Sequence, residues 1–267
     1  MQYIILIAVL YIFGFQTGLF SQPEKAKFEK DIVSGDYLVR LENTESEFFT
    51  GKVTVYNLKI SRELFEAEGF FTDYKSDTLL DLDDNGHNEI ILDLGTGATM
   101  YDYNMLLIFD FSEDTLHAAE VHNAALLFVP DELPKIISEV RLSPNYLGSG
   151  YSFSLKYENG RLIPESAAGN RKFRKELDFT EENIKEIMTE YVKETGECSE
   201  ESQVQVYYEA YITQKKILGE EKKGWSFFDR NYKCKDKKKV RIALKKIVSL
   251  NYNNIMNPEN YKFQNNH

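Results

Sequence analysis

The chain has 267 residues, a formal net charge of −11, 42% hydrophobic residues and 28% charged residues. That composition is globular, fits one large domain or two small ones, and excludes a wholly disordered chain or a polytopic membrane protein. The acidic balance argues against nucleic acid as a partner, and two cysteines with four histidines exclude a disulfide scaffold and a four-cysteine zinc site.

Charge is uneven along the chain. Residues 1–170 carry 12 basic and 27 acidic side chains, whereas residues 171–267 carry 20 and 16. Such asymmetry suggests two units with different surfaces. The expected organisation is a signal segment at 1–21, a β domain at 22–170 and a helical C-terminal region at 171–267.

Residues 1–21 contain no charged side chain, and Tyr3 to Phe15 is almost wholly apolar. A short apolar core followed by small or polar residues reads as a secretory signal peptide, with cleavage after Ser21. The rival reading is an uncleaved anchor, because about 17–25 apolar residues can span a bilayer. Both place the rest of the chain in the periplasm or outside the cell. Membrane attachment follows only if the segment stays uncleaved.

The region up to about residue 170 reads as antiparallel β. Lys52 to Ile60, Asp77 to Leu82, Glu89 to Leu94 and Met105 to Phe111 are short apolar or β-branched runs. Tyr151 to Tyr157 alternates, and Asn159-Gly160 then turns the chain into Arg161 to Ile163. Asn-Gly suits a two-residue hairpin because both turn residues must take positive φ. Residues 114–142 stay ambiguous, broken by Pro130 and Pro134.

From about 172 the period becomes helical. Apolar stripes predict helices over Glu181 to Lys193, Glu200 to Leu218 and Asp236 to Leu250, the first capped by Asp178 or Thr180 and the second stopped by Gly219. Trp225, Phe227 and Phe228 in the connecting segment 219–235 predict that it packs rather than hangs free. Lys237, Lys238, Lys239, Arg241, Lys245 and Lys246 give the last helix a basic face, read either as a solvated surface or as a dock for an anionic partner or membrane. The fold class expected is α+β, with propeller-blade-like antiparallel β preceding the helices.

The sharpest motif is Asp81-Leu82-Asp83-Asp84-Asn85-Gly86-His87-Asn88-Glu89. Oxygen-bearing side chains fall at its first, third, fifth and ninth positions, with glycine at the sixth. Calcium needs about 6–8 hard oxygen ligands, and a tight loop supplies them by pointing alternate side chains inward. The His87 carbonyl falls where such loops donate a backbone oxygen. An EF-hand is excluded, since Leu92 stands where its bidentate Glu belongs and the flanks are strand-like.

With these residues in view, the chain resembles the FG-GAP/VCBS repeat family, whose blades place D-x-D-x-[DN]-G-x-x-[DE] between strands. The resemblance covers roughly residues 65–111 and occurs once, so it implies a single-copy, half-propeller form. It implies calcium ligands at Asp81, Asp83, Asn85, the His87 carbonyl and Glu89. Similar bacterial periplasmic proteins include calcium-binding inhibitors of lysozyme-type hydrolases.

Catalytic signatures are weaker. No H-E-x-x-H zinc spacing occurs, Gly148-Ser149-Gly150 lacks the full nucleophile elbow, and no Walker loop or dinucleotide fingerprint is present. The expectation is a calcium-binding, non-enzymatic module acting on an envelope protein or glycan. The alternatives are an inhibitor of a lysozyme-type hydrolase and an envelope enzyme with an unrecognised carboxylate site. Tyr101 and Tyr103, on the loop beside the calcium motif, are candidate interface anchors. An oxidising compartment predicts a Cys198–Cys234 disulfide.

Overall fold

The structure is a computed structural model that describes residues 28–43, 51–69, 71–97, 103–112, 115–128, 130–143, 149–165, 171–194 and 204–263. Twelve strands form three consecutive four-stranded meanders. The first contains β1 (Glu29–Ser34), β2 (Tyr37–Asn43), β3 (Gly51–Asn57) and β4 (Arg62–Glu68). The second contains β5 (Asp73–Leu80), β6 (Glu89–Gly95), β7 (Met105–Asp110) and β8 (His117–His122). The third contains β9 (Ala124–Leu127), β10 (Lys135–Arg141), β11 (Gly150–Glu158) and β12 (Arg161–Glu165). Every neighbouring pair is antiparallel, the up-and-down order of a propeller blade. Four helices follow: α1 (Arg171–Glu194), α2 (Val204–Ile217), α3 (Glu221–Asn231) and α4 (Lys237–Ile255). The α+β class expected from the sequence is the class observed.

The second sheet is the middle layer. Ile90, Leu92, Leu94, Met105, Leu107 and Phe109 form one buried cluster with Val39, Leu41, Val53 and Val55 of the first sheet. Ile91, Leu106, Ile108, Ala119 and Val121 belong to another cluster with Phe153, Leu155 and Tyr157 of the third sheet and the helices. Successive side chains of a strand point to opposite faces, so a strand covered on both sides reads as a continuous apolar run. That is why Ile90-Ile91-Leu92 and Met105 to Phe109 lack alternation. Burying each such side chain contributes roughly 1.5–3 kcal/mol.

Turns end the strands where local chemistry requires. Asn159 (φ 49°) and Gly160 (φ 75°) form the expected hairpin turn between β11 and β12. The first expected strand stops earlier than its apolar pattern, at Asn57, whose side chain accepts from the backbone N–H groups of Lys59 (3.0 Å) and Ile60 (3.2 Å). The ambiguous stretch 114–142 holds β8, β9 and β10, with Pro130 and Pro134 in the β9–β10 connection.

The helical expectation needs three corrections. Helix α1 begins at Arg171, so Asp178 and Thr180 lie within it, and Thr180 is buried in packing rather than capping. The 219–235 segment packs as expected, with Phe227 and Phe228 buried, but it does so as helix α3. The described region therefore holds four helices rather than three. Gly219, at φ 72°, ends α2 as predicted.

Helix α2 joins the helices to the third sheet. Its buried Gln214 side chain accepts from the Ser152 N–H (2.7 Å) and donates to the Ser152 carbonyl (2.9 Å). The registered β11–β12 pairing begins only at Ser154, so the Gln214 amide takes the place of a neighbouring strand. After α4, the tail returns to the second sheet, where the Phe263 N–H donates to the Ala118 carbonyl on the β8 edge (3.1 Å). Among the described residues no helix is long and apolar enough to cross a membrane. Residues 1–21, including the expected signal segment, lie outside the described residues.

Candidate functional site

The β5–β6 connection folds around its own carboxylates. Asp84 takes φ 60° and Gly86 φ 85°, so the backbone passes twice through the left-handed region within three residues. A side chain on Gly86 would meet open space, so the glycine is required for its φ and not for room. Asp81 draws the turn closed, accepting from the N–H groups of Asn85 (3.1 Å) and Gly86 (2.8 Å). The Asn85 side-chain oxygen accepts from the His87 N–H at 2.8 Å. The His87 side chain is exposed.

Three expected ligands converge. Asp81, Asp83 and Glu89 each present a carboxylate oxygen, all within 4.8 Å of one another. Glu89 is fully buried, although it opens strand β6. One of its oxygens accepts from the Leu82 N–H at 2.7 Å, while Oε1 has no hydrogen-bond partner among the described residues. Asp83 is divided in the same way: one oxygen accepts from the Asn159 N–H at 3.2 Å, and Oδ1 is buried without a partner. Burial pushes Glu89 up to about 7, opposed by the Leu82 N–H and reinforced by Asp110 and Asp83.

Two bare, buried carboxylate oxygens aimed into a small acidic space are costly, because each has lost water without gaining a donor. A hard divalent cation meets both needs: it supplies the missing partner and cancels the repulsion. The donor set is all oxygen, which suits calcium. The residues present therefore fit the ion that their spacing implies.

Residues distant in sequence complete the surroundings. Asp110, at the end of β7, is buried and accepts from the Tyr157 hydroxyl of β11 at 3.0 Å and from the Ser112 N–H at 2.8 Å. The Asn159 turn of the third sheet reaches Asp83. Sequence reading missed Asp110, Tyr157 and Asn159 as parts of this centre. Tyr157 stands 47 residues from Asp110, and Asn159 stands 76 residues from Asp83; no local spacing encodes such contacts.

Of the two candidate anchors, Tyr101 lies outside the described residues. Tyr103 is 40% exposed, with Lys75 Nζ 5.7 Å and the Arg141 guanidinium 5.3 Å from its ring centre. Burial of the remainder raises its hydroxyl pKa, with Glu139 adding to the effect. Cys234 is partly buried against the helical core, and Cys198 lies outside the described residues. The basic face divides: Lys237 and Arg241 both engage Asp229 of α3, whereas Lys238, Lys245 and Lys246 stay exposed.

No family model matches the chain, and no curated protein matches it in sequence. Among solved structures, the crystal structure of PliI-Ah, a periplasmic lysozyme inhibitor of I-type lysozyme from Aeromonas hydrophyla, is similar at a TM-score of 0.30 and 16% identity. The match covers 39% of this chain and 93% of that one. A likeness of that size carries no functional argument, so the reading rests on the geometry.

Proposed function

We propose that the protein is an exported, calcium-stapled β module that binds a protein or glycan in the cell envelope and turns over no substrate. The observation that carries the calcium reading is the pair of buried, partnerless oxygens, Asp83 Oδ1 and Glu89 Oε1, beside Asp81. Asp81, Asp83, Asn85, the His87 carbonyl and Glu89 would hold the ion. The spacing and the strand–loop–strand setting support kinship with FG-GAP/VCBS repeats. When bound, calcium supplies positive charge and coordination to a loop that otherwise crowds three carboxylates.

Binding without turnover is supported by the missing nucleophile–base, zinc, Walker and dinucleotide signatures, and by a half-exposed tyrosine on a firm scaffold. Tyrosine offers apolar area and a hydroxyl at low entropic cost. The test of the ion is melting in calcium against chelator. A ligand that binds only the folded state stabilises by about 2.7 kcal/mol at a hundredfold excess over its Kd. Calcium should raise Tm, and Asp83→Ala should remove most of the rise; identical melting in calcium and chelator overturns the reading. Inhibition of a lysozyme-type hydrolase is the narrower case, and a direct inhibition assay separates it. Turnover of an envelope polymer, abolished by one carboxylate substitution, would replace this proposal with the enzyme alternative.

A further inference from the structure

Helix α4 has two unlike faces. Val240, Leu244, Val248 and Ile255 are buried, at the helical spacing that seats one side of a helix on its neighbours. Lys238, Ile242, Lys245, Lys246 and Leu250 recur at helical spacing on the opposite side, and all are exposed. Ile242 is 72% exposed, more than any other large apolar side chain among the described residues, and Leu250 is 56% exposed.

The helix carries six cationic side chains and no acidic one. Two of the six, Lys237 and Arg241, engage Asp229 of α3, and the Arg241 guanidinium lies 5.0 Å from the centre of the Trp225 ring. Lys238, Lys245 and Lys246 have no ion pair among the described residues. The charge of the whole chain is polarised in the same direction: residues 171–267 carry 20 basic and 16 acidic side chains, against 12 and 27 in residues 1–170. An anionic surface therefore attracts the helical region and repels the β region, which turns this face toward it.

We propose that the outer face of α4 rests on an anionic lipid surface, with Ile242 and Leu250 entering the headgroup layer and Lys238, Lys245 and Lys246 at phosphate level around them. This goes beyond the function proposed above and needs neither the calcium loop nor Tyr103. The residue types favour lipid over protein. Protein interfaces draw on Tyr, Trp and Arg at their core and are depleted in lysine. Here lysines flank two aliphatic side chains. A lysine stem lies along apolar surface while its ammonium reaches the phosphates, so this mixture fits a boundary that is apolar on one side and anionic on the other. Because the opposite face stays packed, α4 touches the surface without leaving the fold, and attachment is reversible.

The test is amine acetylation of the full chain, mapped residue by residue, in chelator with vesicles of phosphatidylcholine alone or with about one-third phosphatidylglycerol added. Lys238, Lys245 and Lys246 should react at least about tenfold more slowly on the anionic vesicles than on the neutral ones, and raised salt should abolish the difference. Lys156 on β11 should react alike on both. Insertion by residues 1–21, which carry no charged side chain, would occur on both vesicles and would not press these three lysines against lipid. Chelator prevents calcium from bridging the acidic loop to phosphate, so the outcome is independent of the calcium reading. Ile242→Ser with Leu250→Ser should remove most of the protection at unchanged Tm, because neither side chain belongs to the buried face. Equal reactivity on the two vesicles overturns the proposal, and so does undiminished protection in the double variant. Protection by soluble poly-glutamate as strong as that by anionic vesicles would assign the face to an acidic protein and overturn it as well.

Discussion

Replacing Glu89 with glutamine gives the acidic loop a test with two opposite signs. In the metal-free protein Glu89 is fully buried beside Asp83 and Asp110, with Oε1 lacking a partner. A buried group in that state costs on the order of 1–3 kcal/mol, more when charged. The glutamine oxygen can keep the bond from the Leu82 N–H, while its amide becomes a donor toward the bare Asp83 oxygen. Glu89→Gln should therefore stabilise the calcium-free protein by about 1–3 kcal/mol, or roughly 2–10 °C in Tm for a domain near this size. The same change removes a charged ligand, so the Tm gain produced by saturating calcium should shrink to a small fraction of the wild-type gain. The assay is differential scanning calorimetry of both proteins in chelator and in calcium. A lower Tm in chelator, with the calcium gain intact, would mean that Glu89 is an ordinary buried acceptor and not a ligand of the ion.

Tyr157→Phe removes the hydroxyl that Asp110 accepts from in a buried site. It should cost about 1–3 kcal/mol in urea unfolding, and an unchanged midpoint would refute that bond's role. Gly51→Ala would place a methyl group 2.0 Å from the buried Phe71 ring, and overpacking of this kind costs typically 1–3 kcal/mol; an unaltered melting curve would contradict the packing. The Cys198–Cys234 disulfide should appear as zero free thiols on titration of the denatured, unreduced protein, and closing a loop of about 36 residues would stabilise by roughly 4 kcal/mol in the chain-entropy model. Tyr101→Ala with Tyr103→Ala should abolish capture of the envelope partner while calcium-dependent melting survives. Loss of both together would refute their role as anchors, because the substitutions would then act through the fold.

What the sequence showed was local. The Asp81–Glu89 loop was legible because its oxygen-bearing side chains lie within nine residues, and the Asn159–Gly160 turn because two positive φ angles demand those residues. Strands β6 and β7 were visible as apolar runs. Strand β4 (Arg62–Glu68) was not, because its exposed edge carries Arg62, Glu63, Glu66 and Glu68 among few apolar residues. Helix α3 was hidden because its eleven residues bury a narrow face at Gly224, Phe227 and Phe228. The repeat of the architecture was hidden too. Three sheets share the meander order, but the acidic signature occurs on one connection, so the motif marked a single sheet and topology supplied the others. Asp110 reads in sequence as the polar end of an apolar strand, and its place beside Glu89 follows from β6–β7 register, which pairs Ile90 with Phe109.

That register also decides what the loop can do for the whole molecule. Asp83 binds the third sheet through Asn159, and Asp110, at the end of the strand paired with β6, binds it through Tyr157. The third sheet in turn holds helix α2 through Gln214. An ion seated between Asp81, Asp83 and Glu89 would thus brace the joint where the middle sheet meets the sheet that carries the helices. Calcium should then protect more than its own turn. In hydrogen exchange, the amides of β11 and α2 should slow together with those of residues 81–89 when calcium is added. A loop that merely closed on itself would slow only its own amides, because local opening then leaves the neighbouring sheet untouched. Protection confined to 81–89 would refute the brace and leave a local staple.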